Sequence, residues 1–581
     1  MSGRYTSSRR DVVKQGAALG SMAAIGAASF ERFAPGASAA QLARNETLYV
    51  AGHQWGPATT FNPIAPDPAW PADSPFVYLY ETLYTFNLLT GEIEPLLAAD
   101  LPEVTDEGMS ITLHEETAFQ DGEPLTAEDV VYTLTLPQRQ DGIPYAIFND
   151  YVSEVEAVDE RTVRLTYNPD RVHPGMVRQL LTDIRILPQH IWEERETEGV
   201  TSVVEMEPVG SGPYQVTVGS AQQVVLARWE DYWGADVVGM PKPKNIVHPI
   251  FESNDAGNLA LQRGEIDFSQ QFAPQIWQMW QERDLPVGTW YPDPPYHVPG
   301  SIPMVHINLN RPGLDNPAVR RALAHAINYP QIAEVAMSRY SITVNPSLLI
   351  PQGAEEQFFR ADAIAESGGW EYNPDEARRI LEEELGATLE DDVYVLEDGT
   401  RLGPWRVVCP FGWTDWMTAL ELVAQGAQEV GFDITTEFPE APVVTTAVQN
   451  GDFDLILWSV AGVSAAGPWL RYRDVMDNRG VPEIGQTAFW NYNRFKSEEA
   501  EQLLDQAATA EGDELVDLYQ QLDAIFRENI PTIPLMYRPL EFYEFNESVW
   551  QNFPTEDNPY APPMHQSAGI QVLYGIESAG E

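Results

Sequence analysis

Residue types that could do chemistry are present in this chain, but their spacing matches no catalytic motif. His114-Glu115 begins like the zinc-protease motif, yet it lies in a predicted strand and no second histidine follows at helical spacing. Gly210-Ser211-Gly212 resembles a phosphate-binding turn but lacks the lysine and the spacing of a P-loop. The 87 acidic residues offer many carboxylate pairs, but a glycosidase pair is defined by its separation in space. We therefore predict no catalytic residue, no metal site and no cofactor.

The elements that would position any site are best specified in the stretch 117–134. Apolar residues alternate as far as Phe119, as in a strand, and Asp121-Gly122 tolerates the positive φ of a tight turn. Thr126 and Asp129 then have the spacing of a capping box, which predicts that a helix begins here. This stretch is therefore predicted to be a strand, a turn and a capped helix.

Strand and helix patterns alternate along the rest of the chain, which predicts α/β lobes with mixed sheets. Predicted strands are 48–51, 152–158, 162–167, 215–218, 224–228, 304–310, 393–396, 405–409, 432–435, 453–459 and 530–537. Predicted helices are 76–83, 317–328, 373–385, 417–430 and two within 497–527. We expect 393–396 and 405–409 to form a hairpin, and the proline-flanked 530–537 to be an edge strand or a crossover.

The N-terminal segment has the features of an export signal. Ser8-Arg9-Arg10 and the residues after it resemble a twin-arginine signal, and a short apolar run, 16–30, follows. Ala37-Ser38-Ala39 is a small-residue cleavage site, so residues 1–39 are predicted to be a removable twin-arginine signal peptide. No cysteine near this site offers a lipid anchor. We expect a protein that is exported to the periplasm or the cell surface.

The chain is strongly acidic, with 34 basic against 87 acidic residues, a net charge of −53 and a pI near 4.3. Such a surface repels itself unless concentrated salt screens it, and the Debye length falls to about 3 Å near 1 M salt. The composition therefore resembles that of proteins from extreme halophiles. The charge excludes nucleic acid and anionic membranes as partners.

The length of 581 residues exceeds what one hydrophobic core supports, so two or three domains are expected. Cys409 is the only cysteine; no intramolecular disulfide can form, and we predict a buried apolar role for it. Asn45 and Asn546 begin glycosylation sequons that we read as possible surface sites.

Short segments spread along the chain resemble the markers of one family. They are 117–134, Tyr80–Tyr84, Gly212-Pro213-Tyr214, Tyr232-Trp233-Gly234 and Asn308–Ile327. On these segments the chain resembles the family 5 extracellular solute-binding proteins, the dipeptide- and oligopeptide-binding receptors of ABC importers. The resemblance extends over about residues 48–545.

This resemblance implies a bilobal α/β fold of the periplasmic-binding-protein type II in its large three-domain form, with mixed sheets and a ligand cleft between the lobes. The expected lobe one is 40–300 plus 535–581, with an inserted subdomain at about 85–205. The expected lobe two is 301–534. The expected partners are a small solute and an ABC permease complex in the membrane.

A receptor of this kind binds its solute reversibly, and aromatic faces give large contact area at low entropic cost. We expect the solute to contact loops near strand ends. The candidate ligand-binding residues are Trp55, Trp413, Trp416, Trp458, Trp469, Tyr472, Arg473, Trp490 and Asn491. Trp277 and Trp280, three residues apart in an amphipathic stretch, are predicted to be core residues instead.

One departure from the family pattern bears on the solute. Peptide-binding members carry an aspartate shortly after a tryptophan of the cleft, and this aspartate pairs with the α-ammonium of the peptide. After Trp458 this chain has Ala461 and Gly462 at that place, and a buried ammonium without a counter-charge is costly. We therefore expect an oligosaccharide in preference to a peptide, with Asp415 or Asp474 as alternative carboxylates. The alternative class is a secreted hydrolase such as a glycosidase.

Overall fold

The structure is a computed structural model and describes residues 42–73 and 75–580. Three main sheets and the helices around them build this part of the chain. The predicted signal peptide, residues 1–39, lies outside these described residues. From Asn45 onward the chain forms one compact unit. Within the described ranges, no helix is both long and apolar enough to cross a lipid bilayer.

The largest sheet has seven strands and mixes parallel with antiparallel pairs. Its central strand Thr47–Ala51 runs parallel to Asn245–Pro249 on one side and to Phe268–Ser269 on the other. In spatial order the strands are Val287–Gly288, Glu544–Asn546, Phe268–Ser269, Thr47–Ala51, Asn245–Pro249, Gln223–Arg228 and Tyr214–Gly219. The last two, both predicted as strands, pair as an antiparallel hairpin.

The second sheet has five strands and carries the most apolar strand of the chain, Leu455–Trp458. This strand runs parallel to Trp405–Val408 and antiparallel to Met304–Ile307. In spatial order the strands are Ile434–Glu437, Trp405–Val408, Leu455–Trp458, Met304–Ile307 and Thr532–Pro534. The proline-flanked strand lies at the edge, as predicted, because proline cannot donate a ladder hydrogen bond.

The third sheet has four antiparallel strands. In spatial order they are Glu103–Val104, Gly108–Thr112, Thr162–Tyr167 and Val152–Ala157. The predicted capped helix is Ala127–Thr135, and the Thr126 N–H donates to Asp129 Oδ2 at 2.9 Å. Gly122 has the predicted positive φ, +91°. We call this sheet, together with helices Ala127–Thr135, Phe148–Tyr151 and Pro174–Asp183, the four-stranded unit.

Shorter elements complete the described chain. Two-stranded pairs are Tyr84–Phe86 with Ile93–Pro95, Thr388–Glu390 with Val393–Val395, and Trp550–Gln551 with Glu577–Ser578. Further α-helices are Gln189–Arg195, Asn254–Gln262, Trp277–Gln281, Pro317–Ala326, Tyr329–Gln331, Ala361–Ser367, Pro374–Arg379, Thr414–Val430, Ala441–Asn450, Trp469–Met476, Glu498–Ala507, Gly512–Asn529 and Val572–Gly575. Single π-helical turns, Ile332–Ala336 and Ile380–Glu384, extend two of these helices.

The helix predicted at 76–83 is wrong. This segment runs through turns because its carbonyl groups accept hydrogen bonds from the start of the distant strand Tyr214–Gly219. The Tyr214 N–H donates to Tyr78 O, and the Gly212 N–H donates to Leu79 O. A Cβ at Gly210 would collide with the Leu79 carbonyl. The glycine-rich turn therefore serves close backbone packing, in agreement with its not being a P-loop.

The predicted hairpin of 393–396 with 405–409 is also wrong. Val393–Val395 pairs with Thr388–Glu390 instead, and Trp405–Val408 enters the five-stranded sheet, parallel to Ile434–Glu437. Cys409, at the end of this strand, is buried as predicted.

Of the two glycosylation sequons, only Asn45 has an exposed side chain. Asn546 is buried, and its Nδ2 donates to the Leu261 carbonyl at 2.7 Å. An amide committed in this way cannot carry a glycan in the folded protein, so reading Asn546 as a surface site is wrong. Trp277 is partly buried and stacks on Tyr296 with ring centroids 5.7 Å apart.

The seven- and five-stranded sheets are joined by two chain segments that pair with each other. Arg538 and Ser301 exchange backbone hydrogen bonds, and a Cβ at Gly300 would meet the Leu540 backbone at 2.6 Å. Two antiparallel crossovers side by side are a typical hinge between lobes. The residue limits of the lobes stay a prediction.

Candidate functional site

Tryptophans gather where two parallel strands of the five-stranded sheet end. Trp458 is the last residue of Leu455–Trp458, and Trp413 and Trp416 follow Trp405–Val408. Trp413 stacks on Trp458 with ring centroids 6.2 Å apart, and Trp416 meets both rings edge-on. Trp416 is buried, whereas Trp413 is 41% exposed and Trp458 is partly buried. The cluster therefore offers an aromatic face to a bound molecule.

A carboxylate beside this cluster is already paired. Asp415 is buried, and its Oδ2 accepts a hydrogen bond from Arg538 Nε at 3.1 Å. Arg538 belongs to the crossover between the sheets. Asp415 is therefore held by the hinge segment and is not offered to a solute.

The segment 462–474, which follows the strand Leu455–Trp458, leads into the helix Trp469–Met476. One side of this helix carries Trp469 and Arg473. Tyr472, one turn from Trp469, lies in the core, where it stacks on Tyr519 and donates to Asp523 Oδ1 at 2.9 Å. Tyr472 is fully buried, and its contact with solute stays a prediction.

Arg473 joins a compact polar and aromatic set. Its guanidinium lies over the Trp490 ring, 4.3 Å from the centroid, and its Nη1 is 3.3 Å from Asp474 Oδ1. Burial raises the pKa of the Asp474 carboxyl to about 6, although Arg473 acts in the opposite direction. Asn491 is buried, and its Nδ2 donates to the Asp477 and Phe495 carbonyls. Asn491 thus shapes the turn, and its contact with solute stays a prediction.

The loop after Trp458 is held from both sides at Ala461, one of the two residues, with Gly462, that stand where the aspartate is expected. Its N–H donates to Asp474 Oδ2 at 3.1 Å, and its carbonyl accepts from Arg471 Nε at 3.0 Å. Arg471 in turn forms a buried, two-pronged pair with Glu355 at 2.7 and 2.9 Å. This loop is therefore fixed before any solute arrives.

Tyr492 lies between the two aromatic groups. It packs with Trp458 against the small apolar cluster under helix Ala441–Asn450, and its phenol lies near Asp474. Burial and that carboxylate raise the pKa of the phenol to about 12. The structure thus brings Trp413, Trp416, Trp458, Trp469, Arg473 and Trp490 to one end of the five-stranded sheet. Trp55, 48% exposed, lies elsewhere, on the loop leaving the seven-stranded sheet.

The four-stranded unit supplies residues that face this end and that the sequence reasoning missed. The His173 ring meets Trp469 edge-on with centroids 4.2 Å apart, and Gln179 Oε1 accepts from the Ala465 N–H at 2.8 Å. Tyr151 packs against His173, with ring centroids 6.0 Å apart. The one local signal is His173-Pro174, a helix start with proline at its first position. Nothing in it indicates a contact with Trp469.

The chemistry available here is binding. Aromatic faces, paired charges and neutral hydrogen-bonding groups meet at this end of the five-stranded sheet. Over residues 42–73 and 75–580, no group of three or more histidine, cysteine, aspartate or glutamate side chains is arranged to hold a metal ion.

Comparison with known proteins identifies the family. The profile of the bacterial extracellular solute-binding proteins, family 5 (middle region), matches residues 92–478, well over half of the chain. The chain belongs to this family.

Solved structures of relatives have the same fold. Two are of the periplasmic oligopeptide-binding protein of an oligopeptide ABC transporter from Thermotoga maritima, one of them with mannohexaose bound. They are 30% and 31% identical to this chain, cover 93% and 92% of it and 100% of their own length, and have TM-scores of 0.82 and 0.85. A probable peptide-binding protein of Agrobacterium fabrum, YejA, is 26% identical over 74% of this chain and 75% of its own.

These comparisons confirm the predicted family and the type II periplasmic-binding-protein fold. This solute-binding protein is the substrate-binding component of an ABC transporter for peptides or related solutes. Its family and its structural relatives are solute-binding proteins rather than enzymes.

Proposed function

We propose that this protein captures an oligosaccharide between two closing lobes and delivers it intact to an ABC permease in the membrane. The proposal rests on two features found together. One is an aromatic face, and the other is a neighbouring loop that lacks the aspartate of the peptide-binding members. Trp413 and Trp458 form that face, and Ala461 stands at the aspartate's place. Aromatic rings stack well on the C–H faces of sugars.

The charges around the cleft support a neutral solute. The two carboxylates that could receive an ammonium group, Asp415 and Asp474, already pair with Arg538 and Arg473. An incoming ammonium would have to displace an arginine or remain buried without a partner, which costs several kcal/mol. The mannohexaose in the Thermotoga maritima relative supports the same class of solute.

A peptide is the second candidate, since the Agrobacterium fabrum relative is named as a probable peptide-binding protein. Asp474, whose Oδ2 accepts from the Ala461 N–H, is the nearest carboxylate to that loop, and a peptide would have to displace Arg473 to use it. A secreted glycosidase, the alternative from another class, would use the same cleft but would convert its solute.

A binding screen separates these candidates. Purified protein in 2 M KCl is titrated with mannohexaose, cellohexaose and trialanine, and binding is followed by calorimetry and thermal shift. We expect saturable binding of a hexasaccharide, no binding of trialanine, and no product after prolonged incubation. Binding of trialanine alone would overturn the oligosaccharide proposal, and appearance of shorter sugars would establish a hydrolase.

We further propose that residues 1–39 are a twin-arginine export signal and that the lobes divide at 300/301 and 534/535. The paired arginines, the apolar run and the small-residue site support the first proposal. The paired crossovers at Ser301 and Arg538 support the second. Export should stop when Arg9 and Arg10 are both changed to lysine, and secretion of this variant would contradict the proposal.

A further inference from the structure

Buried polar atoms without partners collect where the four-stranded unit meets the helix Trp469–Met476. Among the residues that the structure describes, the Tyr151 hydroxyl, His173 Nε2, Ser464 Oγ and Arg473 Nε have no hydrogen-bond partner. Tyr151 is fully buried, and His173 and Arg473 are 4% and 7% exposed. A buried polar group without a partner is unfavourable, so a polar ligand group that reached these atoms would be stabilised by the hydrogen bonds it makes with them.

The protonation of His173 follows from its contacts. Its Nδ1 accepts a hydrogen bond from the Met176 N–H at 3.2 Å, where it caps the helix Pro174–Asp183. Burial lowers the pKa of His173 to about 3, so the ring is neutral at pH 7. Because Nδ1 is the acceptor, the proton sits on Nε2. His173 therefore presents an N–H donor that lacks an acceptor.

Arg473 also presents a donor. Its Nη1 is directed to Asp474 and its guanidinium plane covers Trp490, which leaves Nε–H available. The hydroxyls of Tyr151 and Ser464 can both donate and accept. These four side chains thus offer two obligate donors and two adaptable hydroxyls, and the one positive charge among them is already balanced by Asp474.

These donors and hydroxyls favour some chemical groups of a ligand over others. An ammonium group offers only donors and would leave His173 Nε2–H and Arg473 Nε–H unpaired. A carboxylate would satisfy both donors but would place a second negative charge beside Asp474, in a protein of net charge −53. A ring that carries hydroxyl groups offers acceptors and donors together without charge.

We propose that Tyr151, His173, Ser464 and Arg473 bind one terminal, uncharged hydroxyl-bearing ring of the solute. This inference rests on the proposed function and adds that the four-stranded unit is a specificity element of the site. The Ala465 N–H donates a hydrogen bond to Gln179 Oε1 across the same contact. The pocket is therefore complete only when the two sides meet, which couples binding of the terminal ring to closure.

The test measures affinity for mannohexaose and cellohexaose by calorimetry in 2 M KCl. The variants are Tyr151→Phe, Ser464→Ala and His173→Asn, the last of which keeps a side-chain oxygen for the helix cap. We expect each to raise the Kd of the hexasaccharide that binds by about 5- to 50-fold, since each removes one hydrogen bond to the ring. Tyr132→Phe, which alters another buried tyrosine of the four-stranded unit, is the matched control and should leave the Kd unchanged.

The outcomes are distinguishable. If Trp413→Ala weakens binding while Tyr151→Phe and Ser464→Ala do not, the terminal pocket is refuted and the proposed function stands. If the unaltered protein binds neither hexasaccharide, the proposed function itself fails. Tighter binding of hexagalacturonate than of the neutral sugars would refute an uncharged ring in favour of carboxylate recognition.

Discussion

Trp413 is the residue at which solute contact is most directly testable. It is 41% exposed and stacks on Trp458, so its removal takes away an aromatic face without opening a deep cavity. Trp413→Ala should weaken sugar binding by about 1–3 kcal/mol, a roughly 5- to 150-fold rise in Kd, with little change in Tm. Trp458→Ala should weaken binding by a similar factor. Calorimetric titration with mannohexaose and cellohexaose measures both effects.

The matched control is Trp277→Ala. Trp277 also belongs to an aromatic cluster and is partly buried, but it stacks on Tyr296. Its loss should change the Tm and leave the Kd for sugar unaltered. Equal Kd values for Trp413→Ala, Trp458→Ala and the unaltered protein would show that the solute lies elsewhere.

A second residue, His306, gives a prediction about pH. It is fully buried in strand Met304–Ile307, and burial lowers its pKa to about 4, against 6.5 in an unfolded chain. Between pH 6.5 and 4 the unfolded chain binds a proton there and the folded chain does not. Stability must therefore fall as pH falls through this window, by about 1.4 kcal/mol per pH unit.

Urea unfolding in 2 M KCl at several pH values measures this pH dependence of the free energy of unfolding. The free energy of unfolding of His306→Leu should fall less steeply between pH 6 and 4.5 than that of the unaltered protein. His190→Gln, at a partly exposed histidine paired with Asp121, is the control for replacing a histidine. Parallel curves for His306→Leu and the unaltered protein would contradict the prediction.

The site residues differ in how far the sequence could locate them. Trp413 and Trp458 follow strands directly, and strand ends can be read from local patterns. His173 reaches Trp469 only because distant parts of the chain pack together: Gln179 and Ala465, which join the same surfaces, are 286 residues apart. Tyr472 was expected beside Arg473 because its segment reads as a loop, and the helix Trp469–Met476 turns the two side chains apart.

Among the elements, the loop at Ala461 depends on a buried ion pair. Arg471 donates to the Ala461 carbonyl and pairs with Glu355, and both side chains are at most 2% exposed. Glu355→Gln leaves a buried guanidinium without its counter-charge and should destabilise the protein by about 3–5 kcal/mol. It should also weaken sugar binding, because the loop loses its fixed position. Urea unfolding and calorimetry report the two effects.

An exposed pair provides the comparison. Arg339 and Glu334 are 43% and 57% exposed, and Glu334→Gln should cost far less stability than Glu355→Gln because water already screens the pair. If Glu355→Gln and Glu334→Gln lower the free energy of unfolding by a similar amount, burial does not determine how much the Arg471–Glu355 pair contributes to stability.

Elements specified by neighbouring residues were predictable. The capped helix Ala127–Thr135 and the hairpin of Tyr214–Gly219 with Gln223–Arg228 follow from turn and capping residues a few positions apart. Trp405–Val408 was assigned to a local hairpin, but its partners begin about 30 and 50 residues later. The segment 76–83 fails as a helix for the same reason, since its partners lie at Gly212 and Tyr214.

For the whole molecule, the net charge of −53 predicts that the Tm depends on the salt concentration. Even if all 34 basic residues were paired, 53 of the 87 acidic residues would remain uncompensated. Raising KCl from 0.1 to 2 M shortens the Debye length from about 10 Å to below 3 Å and should raise the Tm by at least about 10 °C. Sorbitol at equal osmolality is the control for excluded-volume effects. A Tm that stays level or falls with KCl would argue against a halophilic protein.

Closure of the two sides can be locked chemically. A Cβ at Gly175 would lie 3.5 Å from the Ala466 Cα, a separation that suits a disulfide between these positions. The His173 ring, 3.2 Å from the same Cβ, would have to shift by a few tenths of an ångström. Cys409 is buried, so a Gly175→Cys/Ala466→Cys protein should form the new bond selectively.

The oxidised double variant should neither take up nor release sugar, because a solute enclosed between the lobes can pass only when they part. Reductant should restore binding, and each single-cysteine variant should bind in both states. Small-angle scattering should give the oxidised form the smaller radius of gyration that the unaltered protein reaches only with sugar bound. If the oxidised form exchanges sugar as fast as the reduced one, the solute does not enter between the four-stranded unit and the five-stranded sheet, and the closing-lobe mechanism fails.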